Sequence, residues 1–163
     1  MNLKLNRLKN KNSDELIKLL TSSIARWLEP IPYPPKTKDK IAWIEKIKKE
    51  KSFVIIRKDK ITGMIWLENL DKTKRSAEIG FFLGDRYQGK GYASESVKEI
   101  INYGFSKLKL RKITALTNNF NKNSQRLLQR NNFKLIRQIK KDYRKKFNGK
   151  WCDVLIYEIS GIK

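Results

Sequence analysis

The stretch that decides the fold is Arg86-Tyr87-Gln88-Gly89-Lys90-Gly91-Tyr92-Ala93. It lies between a predicted strand that ends at Leu83 and a strongly amphipathic predicted helix over residues 92–108. Two glycines at this spacing let the backbone turn sharply and bring its N–H groups close to an anion. The helix that follows directs its dipole and its unpaired N–H groups into the same space. Strand, glycine loop and helix therefore predict a site for a diphosphate, to which Arg86 and Lys90 add positive charge.

Two other phosphate-binding patterns do not fit this loop. In the P-loop, the Gly-Lys pair is followed by Ser or Thr, whereas Gly91 follows Lys90 here. The dinucleotide-binding fingerprint requires a third glycine, which the loop lacks. An ordinary turn between a strand and a helix also contains glycines, so the loop alone leaves that alternative open.

On either side of the loop, hydrophobic periodicity predicts further helices and strands. Four prolines between Trp27 and Pro35 exclude regular structure there. The order of elements, without a linker or a repeat, predicts one mixed sheet covered by helices in a single domain over residues 1–163. The predicted elements are a strand over 3–8, a helix from about Ser13 through Ile24, a helix over 37–50, strands over 53–58, 61–67 and 76–83, the helix over 92–108, a strand over 112–117, a helix over 123–130, and strands over 133–140 and 151–159 joined by a turn at Asn148–Gly149.

Composition excludes several kinds of chemistry. The chain has 163 residues, no histidine and a single cysteine, Cys152. An intramolecular disulfide, a zinc site of nitrogen and sulfur ligands, and catalysis by Ser-His-Asp or Cys-His therefore cannot be assembled. We expect no metal, and we expect Cys152 to pack in the core because nothing suggests an activated thiol.

The sequence shows no signal for a membrane or for export. The first ten residues lack the apolar core of a signal peptide, and no apolar run approaches the ~18 residues of a membrane span. We therefore expect a cytoplasmic protein without a membrane partner.

The net charge is +22, from 38 Lys and Arg against 16 Asp and Glu. Such a charge attracts polyanions, which include coenzyme phosphates, RNA, ribosomes and acidic surfaces, and it disfavours polycationic substrates. A solvated basic surface without a partner is the alternative. The oligomeric state stays open, with a homodimer among the options.

Residues 86–91 fit the pattern Q/R-x-x-G-x-G/A, and five blocks of the chain follow one another in the order and spacing of a known family. The blocks are Glu78-Ile79-Gly80-Phe81-Phe82-Leu83, Gln88-Gly89-Lys90-Gly91-Tyr92-Ala93, Asn121-Lys122-Asn123-Ser124, Asn132-Phe133 and Asn148-Gly149-Lys150-Trp151-Cys152-Asp153. With them the chain resembles the GNAT acetyltransferases, in particular the Rim-type branch of ribosomal-protein N-terminal and spermidine acetyltransferases. The resemblance implies an α/β fold with a mixed, mostly antiparallel sheet of about seven strands, about four helices, and a splay at the middle that admits coenzyme A.

The resemblance also implies acetyl-CoA as co-substrate and a set of residues that bind it. The pantetheine arm would pair with backbone near Phe82 and Leu83, the diphosphate would lie on the amides of residues 87–92, and Asn121 and Ser124 would face the thioester. Asn121 and Ser124 are also typical helix-capping residues, and capping alone is the alternative. The implied coenzyme-binding residues are Phe82, Leu83, Arg86, Tyr87, Gln88, Gly89, Lys90, Gly91, Tyr92, Ala93, Asn121 and Ser124.

The chain departs from the family pattern at two positions. Many relatives carry a tyrosine four residues after Ser124 that protonates the leaving thiolate, whereas this chain carries Leu128. The acid would then be Ser124, another hydroxyl such as Tyr92 or Tyr143, or water. Relatives usually carry glycine before the phenylalanine at 133, where Asn132 stands here; asparagine tolerates the left-handed backbone that this helix end needs.

Glu78 is the candidate general base, acting through water on the acceptor ammonium. Its alternative role is an exposed strand acid paired with one of the many lysines. We hypothesise an acetyl-CoA-dependent N-acetyltransferase, and three options remain for its acceptor and role: a protein N-terminus, a small amine, or a basic RNA- or ribosome-binding module without catalysis.

The closing hairpin bears on the acceptor, because in this branch it borders the acceptor groove. So basic a hairpin favours an N-terminus beside acidic residues or a substrate displayed on RNA. Asp153 could anchor an amine or brace the hairpin. The basic residues are Lys134, Arg137, Lys140, Lys141, Arg144, Lys145, Lys146 and Lys150, against one acid, Asp142.

Overall fold

The computed structural model describes residues 3–29, 31–144 and 149–161, without the side chains of 142–144. The chain forms seven strands and five helices in this part. They are β1 (Leu3–Arg7), α1 (Ser13–Leu19), α2 (Ser22–Ala25), α3 (Thr37–Lys48), β2 (Lys51–Arg57), β3 (Lys60–Asp71), β4 (Ser76–Leu83), α4 (Tyr92–Ser106), β5 (Lys112–Asn118), α5 (Lys122–Arg130), β6 (Lys134–Arg144) and β7 (Trp151–Ser160).

The strands form one sheet in the order β1-β2-β3-β4-β5-β7-β6. β2 pairs antiparallel with β1, and β7 pairs antiparallel with β5 and with β6. β4 runs parallel to β5, which makes the sheet mixed as predicted. Among the described residues, this parallel register joins only Ser76–Glu78 to Lys112–Thr114, although β4 has eight residues.

The chain divides into two compact units, of which the first comprises residues 1–66 and 81–96. Its core is aromatic and aliphatic. Trp43 of α3 packs edge-on against Trp66 of β3, with ring centroids 5.3 Å apart, and lies 6.1 Å from the ring of Phe82. Leu16 of α1 and Ile44 of α3 are fully buried beside them. Burying such side chains contributes roughly 1.5–3 kcal/mol each, which fixes the helices that precede the glycine loop.

The second unit comprises residues 67–80 and 97–163. Alternation along β5 directs Ile113 and Ala115 into its core, where Ile100 of α4, Leu128 of α5 and Tyr157 of β7 are also buried. The carboxyl end of β5 leads directly into α5 in this unit, so the residues of that connection are positioned by the sheet.

Four predicted elements differ from those observed; one of them is β6, which ends at Arg144, four residues beyond the predicted end at Lys140. The single helix expected from Ser13 to Ile24 is two helices, because Leu20 and Thr21 leave helical geometry, with ψ of 73° and 170°. β3 extends to Asp71, four residues beyond the predicted end at Leu67. The helix predicted over 37–50 carries Ile41, Ile44 and Ile47 three residues apart, and its first isoleucine, Ile41, is 46% exposed, because a three-residue spacing drifts off the buried stripe of a 3.6-residue helix.

No helix within the described ranges is both long and apolar enough to cross a membrane. Three residues that the sequence assigned to the last hairpin lie outside the described residues: Lys145, Lys146 and Asn148. The single domain over residues 1–163 stays a prediction.

Candidate active site

The glycine loop of the first unit begins where β4 ends. Gly84 N–H donates to the Thr62 carbonyl at 2.9 Å, and a 3₁₀ turn over Asp85–Tyr87 follows. Within this turn, Tyr87 N–H donates to the Gly84 carbonyl at 2.8 Å and Gln88 N–H donates to the Asp85 carbonyl at 3.3 Å. Of the amides of 87–92 expected to hold a diphosphate, the first two are therefore already bonded, which leaves those from Gly89 onward.

Gly89 and Gly91 have the backbone conformation that the motif requires. Their φ angles are +72° and +81°, and a Cβ added at either position would meet no atom within 4 Å. Glycine is therefore needed here for its backbone conformation, and the space beside the loop is open. α4 begins directly afterwards at Tyr92, so its first N–H groups lack partners in the helix.

Asp85 ties the loop to the connection between α1 and α2. Its carboxylate accepts hydrogen bonds from Thr21 Oγ1 at 2.7 Å and from Ser23 Oγ at 2.7 and 2.8 Å. These contacts explain why the predicted helix breaks at Thr21. Sequence reasoning missed them, because nothing in the chain links two hydroxyls to an acid more than sixty residues away.

Gln88 fixes the other side of the loop. Its side-chain Nε2 donates to the Leu83 carbonyl at 3.1 Å, so the loop folds back on the end of β4. Phe82 and Leu83 are both buried, and a Cβ on Gly63 would clash with the Phe82 carbonyl oxygen, so β3 and β4 approach closely. The predicted pantetheine-pairing residues thus stand on a rigid strand end.

Positive charge surrounds the open side of the loop. Arg86 and Lys90 are exposed, and the Arg86 guanidinium lies 4.8 Å from the centroid of the Tyr87 ring. Arg57 of β2, which the sequence did not indicate, lies 5.8 Å from the Tyr92 ring centroid, and its buried Nε has no hydrogen-bond partner among the described residues. Free amides, left-handed glycines and three cations fit the diphosphate of coenzyme A.

Glu78 lies in the second unit, half-buried in β4. Asn69 Nδ2 donates to its Oε2 at 3.3 Å. Burial raises the pKa of Glu78 above the usual carboxyl value, the nearby Glu68 carboxylate raises it further, and the Asn69 hydrogen bond lowers it. No lysine or arginine in the described part of the chain forms an ion pair with Glu78. These surroundings suit a general base better than a surface ion pair.

Asn121 and Ser124 stand at the start of α5 in the same unit. Asn121 Oδ1 accepts from Ser124 N–H at 3.2 Å, so Asn121 does cap the helix. Asn118 Oδ1 in turn accepts from the N–H groups of Phe120 and Asn121 at 3.0 Å, which fixes the turn between β5 and α5. Among the described residues, the hydrogen bond shown for Ser124 is made by its N–H, and its side chain is half-buried.

Leu128 and Asn132 show the effect of the two departures from the family pattern. Leu128 is 1% exposed and packs in the core, so this position supplies no hydroxyl that can protonate a thiolate. Asn132 adopts φ of 66°, the left-handed conformation predicted for it. The Tyr143 side chain lies outside the described residues.

Asp153 braces the hairpin of β6 and β7. Its Oδ2 accepts from Gln138 Nε2 at 2.6 Å and its Oδ1 from Lys141 N–H at 2.9 Å. The Lys141 N–H, followed by the Gln138 amide, holds the pKa of Asp153 below its usual value. Cys152 beside it is buried. Both carboxylate oxygens are thus engaged by the hairpin, which favours bracing over binding of an amine.

The predicted site residues thus fall into two groups. Residues 82–93 belong to the first unit, and Glu78, Asn121 and Ser124 belong to the second. Within the described ranges, no three His, Cys, Asp or Glu side chains are grouped as a metal site would require. The roles of the individual residues stay predictions.

Residues 2–134 match the acetyltransferase (GNAT) domain family. The uncharacterized N-acetyltransferase p20 of Bacillus licheniformis is 33% identical over 108 residues, which are 66% of this chain and 60% of that protein. The ribosomal-protein-serine acetyltransferase of Escherichia coli K12 is 28% identical over 83 residues, 51% of this chain and 46% of that one. The spermidine N(1)-acetyltransferase of the same strain is 31% identical over 72 residues, 44% of this chain and 39% of that one. The matched stretches thus span 60% or less of these curated relatives.

Solved structures share the fold over nearly the whole chain. A GNAT acetyltransferase from Bacillus anthracis has a TM-score of 0.84 at 22% identity and is matched over 98% of this chain and 95% of that one. The microcin C7 self-immunity acetyltransferase MccE, solved with acetyl-CoA and AMP, has a TM-score of 0.80 at 25% identity over 98% of this chain and 92% of that one. The predicted fold and the resemblance to ribosomal-protein and spermidine acetyltransferases are confirmed.

Proposed function

The chain belongs to the GNAT acetyltransferase family, and on that premise we propose that it transfers an acetyl group from acetyl-CoA to a primary amine. The observation that carries the proposal is the loop at 86–91, where two glycines with left-handed φ angles stand in open space before the N-terminus of α4. MccE, solved with acetyl-CoA, is a structural neighbour that supports the choice of donor.

The donor would be held through its diphosphate and its pantetheine arm. The amides from Gly89 to Tyr92 are the proposed diphosphate ligands, and Arg86 and Lys90 supply mobile positive charge around them. Phe82 and Leu83 supply the strand end along which the arm would lie. Acetyl-CoA supplies the thioester, whose carbonyl carbon the amine attacks.

In the proposed reaction the neutral amine nitrogen attacks the thioester carbonyl, the carbon–sulfur bond breaks, the nitrogen loses one proton to water, and the thiolate takes up a proton. Only a neutral amine attacks, so a base must first remove the ammonium proton. Glu78 is proposed as that base, because burial and Glu68 raise the pKa of Glu78 toward the working pH. Ser124 is proposed as the hydroxyl that protonates the thiolate, directly or through water.

A protein N-terminal α-amine is the proposed acceptor. Neutralising an α-amine of pKa roughly 8 at pH 7 costs about 1.4 kcal/mol, whereas a lysine side chain near 10.4 costs about 4.6 kcal/mol. One carboxylate whose pKa is raised by burial suits the smaller task. The ribosomal-protein-serine relative supports a protein acceptor, and the net charge of +22 argues against a polycation such as spermidine.

The test is an acetyl-transfer assay with the purified chain, read by mass spectrometry. The panel contains peptides that differ in their first two residues, with spermidine and small aminoglycoside-like amines as controls. We expect acetylation of peptide α-amines, at a rate that falls about a hundredfold in Glu78→Gln.

Acetylation confined to small amines would replace the proposed acceptor, which the spermidine relative makes a specific alternative. Binding of acetyl-CoA without turnover on any amine, together with steeply salt-dependent RNA binding, would replace catalysis with a basic binding module. Failure to bind acetyl-CoA would overturn the proposal altogether.

A further inference from the structure

One face of the second unit carries exposed aliphatic side chains across three strands. Leu116 of β5 lies opposite Ile156 of β7, and Ile156 lies opposite Arg137 of β6. The register of β6 shifts between Leu135 and Arg137, which brings Ile136 beside Arg137 against the same residue of β7. We call Leu116, Ile136 and Ile156 the aliphatic strip.

The aliphatic strip is open to solvent. Leu116 is 47% exposed, Ile136 is 55% exposed, and Ile156 is half-buried between them. A single exposed leucine is ordinary, but contiguous aliphatic side chains on a sheet face mark an interaction surface.

The border of the aliphatic strip is basic. In the next row of the sheet, Lys134 of β6 lies opposite Glu158 of β7. Glu158 is already engaged, since Lys112 Nζ lies 3.5 Å from its Oε2. Residues 134–141 contain four Lys or Arg and no acid, and Lys134 and Arg137 are exposed. The uncompensated charge beside the strip is therefore positive.

We propose that the aliphatic strip docks an acidic protein segment that also carries aliphatic side chains. Such a segment would bury Leu116 and Ile136 against its own apolar residues and place its carboxylates beside Lys134 and Arg137. A second copy of this chain fits poorly, because two basic borders would meet. RNA also fits poorly, because the alkyl side chains of the strip provide no ring on which bases stack.

This docking is independent of acetyl transfer, since it requires neither the coenzyme nor a free amine. The probe is therefore a ten-residue peptide that alternates Glu with Val and Leu, blocked at both ends so that it cannot accept an acetyl group. Binding to the full chain is measured by fluorescence anisotropy at two NaCl concentrations. We expect saturable binding that weakens with salt, and none for the same peptide with Lys in place of Glu.

Matched variants locate the site. Arg137→Glu should weaken binding about tenfold, and Leu116→Thr should weaken it as well, with unchanged circular dichroism melting. Lys98→Glu on α4, which alters the net charge by the same amount at an exposed position, should leave binding intact.

Three outcomes would overturn the proposal. Equal weakening by Lys98→Glu and Arg137→Glu would show general charge attraction. RNA binding that depends on Leu116, without peptide binding, would make the face an RNA site. A dimer in sedimentation that Leu116→Thr dissociates would make it an interface between copies.

Discussion

Gly91 allows the glycine loop to be tested at the scale of one residue. Its φ of +81° is unfavourable for a side chain, while the space around it is open, so Gly91→Ala changes only the backbone preference. Adopting the left-handed conformation costs a non-glycine residue roughly 1–2 kcal/mol. We expect the KM for acetyl-CoA to rise about tenfold with little change in kcat.

Gly149 provides the matched control. It has φ of +64° and equally open surroundings, but it lies in the hairpin between β6 and β7. Gly149→Ala should lower thermal stability about as much as Gly91→Ala and leave the KM for acetyl-CoA unchanged. If both variants raise the KM equally, the loop has no special part in coenzyme binding.

Glu78 has two neighbours that shift its pKa in opposite directions. Glu68 raises the pKa of Glu78 and the Asn69 hydrogen bond lowers it. A base works only when deprotonated, so kcat/KM should rise with pH through this pKa. Glu68→Gln should move the acidic limb of the kcat/KM profile to lower pH, and Asn69→Ala should move it to higher pH. Both variants are measured with one acceptor peptide, so that the titration of the amine affects the two profiles equally.

Glu78→Gln completes this series. This variant should lower kcat about a hundredfold. In its pH–rate profile, only the rise caused by deprotonation of the acceptor amine should remain. If Glu68→Gln and Asn69→Ala shift the pH–rate profile in the same direction, Glu78 is not the base. The same conclusion follows if Glu78→Gln keeps the acidic limb of the unaltered chain.

The conformation of some residues follows from their local sequence, whereas the long-range contacts of others do not. The left-handed backbone of Asn132 followed from its residue type at a helix end, and the cap formed by Asn121 from its position before α5. The contacts of Asp85 with Thr21 and of Arg57 with the Tyr92 ring join residues distant in sequence. A single sequence carries no pattern for such contacts.

At the scale of elements, the connection between α1 and α2 positions the glycine loop through hydroxyl groups. The double variant Thr21→Val, Ser23→Ala removes these bonds and keeps the Asp85 charge. Since a hydrogen bond to a charged group contributes about 1.5–3 kcal/mol, we expect amide exchange at Tyr87 and Gln88, whose N–H groups are bonded within the loop, to accelerate at least about tenfold. The KM for acetyl-CoA should rise as well.

Ser106→Ala serves as the control, because its hydroxyl donates only to the Asn102 carbonyl within α4. Its loop exchange should match that of the unaltered chain. Unchanged exchange in the double variant would mean that the bonds to Asp85 do not hold the loop.

The elements themselves were largely predictable, because apolar periodicity reports burial. β4, α4 and β5 lie within two residues of their predicted bounds. The errors lie where apolar periodicity carries no signal: α1 and α2 separate where two hydroxyls bond to Asp85, and β3 continues past Leu67 into residues 68–71, none of which is buried. Sheet order depends on non-local pairing and was not predicted; the family resemblance implied only a mixed, mostly antiparallel sheet of about seven strands.

At the scale of the whole molecule, charge repulsion should dominate the response to salt. The net charge is +22, and the ion pairs described involve partly exposed side chains, among them Lys74–Asp71 and Lys112–Glu158. Surface pairs of this kind contribute little. Raising NaCl from about 20 to about 300 mM screens the repulsion and should raise the Tm by roughly 3 °C.

A neutral osmolyte at equal osmolality separates screening from excluded volume in the same melting experiment. A Tm that falls with NaCl would instead show that the ion pairs contribute more than the repulsion costs.

The burial of Cys152 gives the chain a built-in reporter of its own opening. It is the only cysteine, and its side chain is 0% exposed in β7. A maleimide dye can reach the sulfur only after this strand has parted from its neighbours. The rate of labelling in native buffer therefore reports the rate at which the carboxyl-terminal hairpin opens, and no probe has to be introduced into the protein.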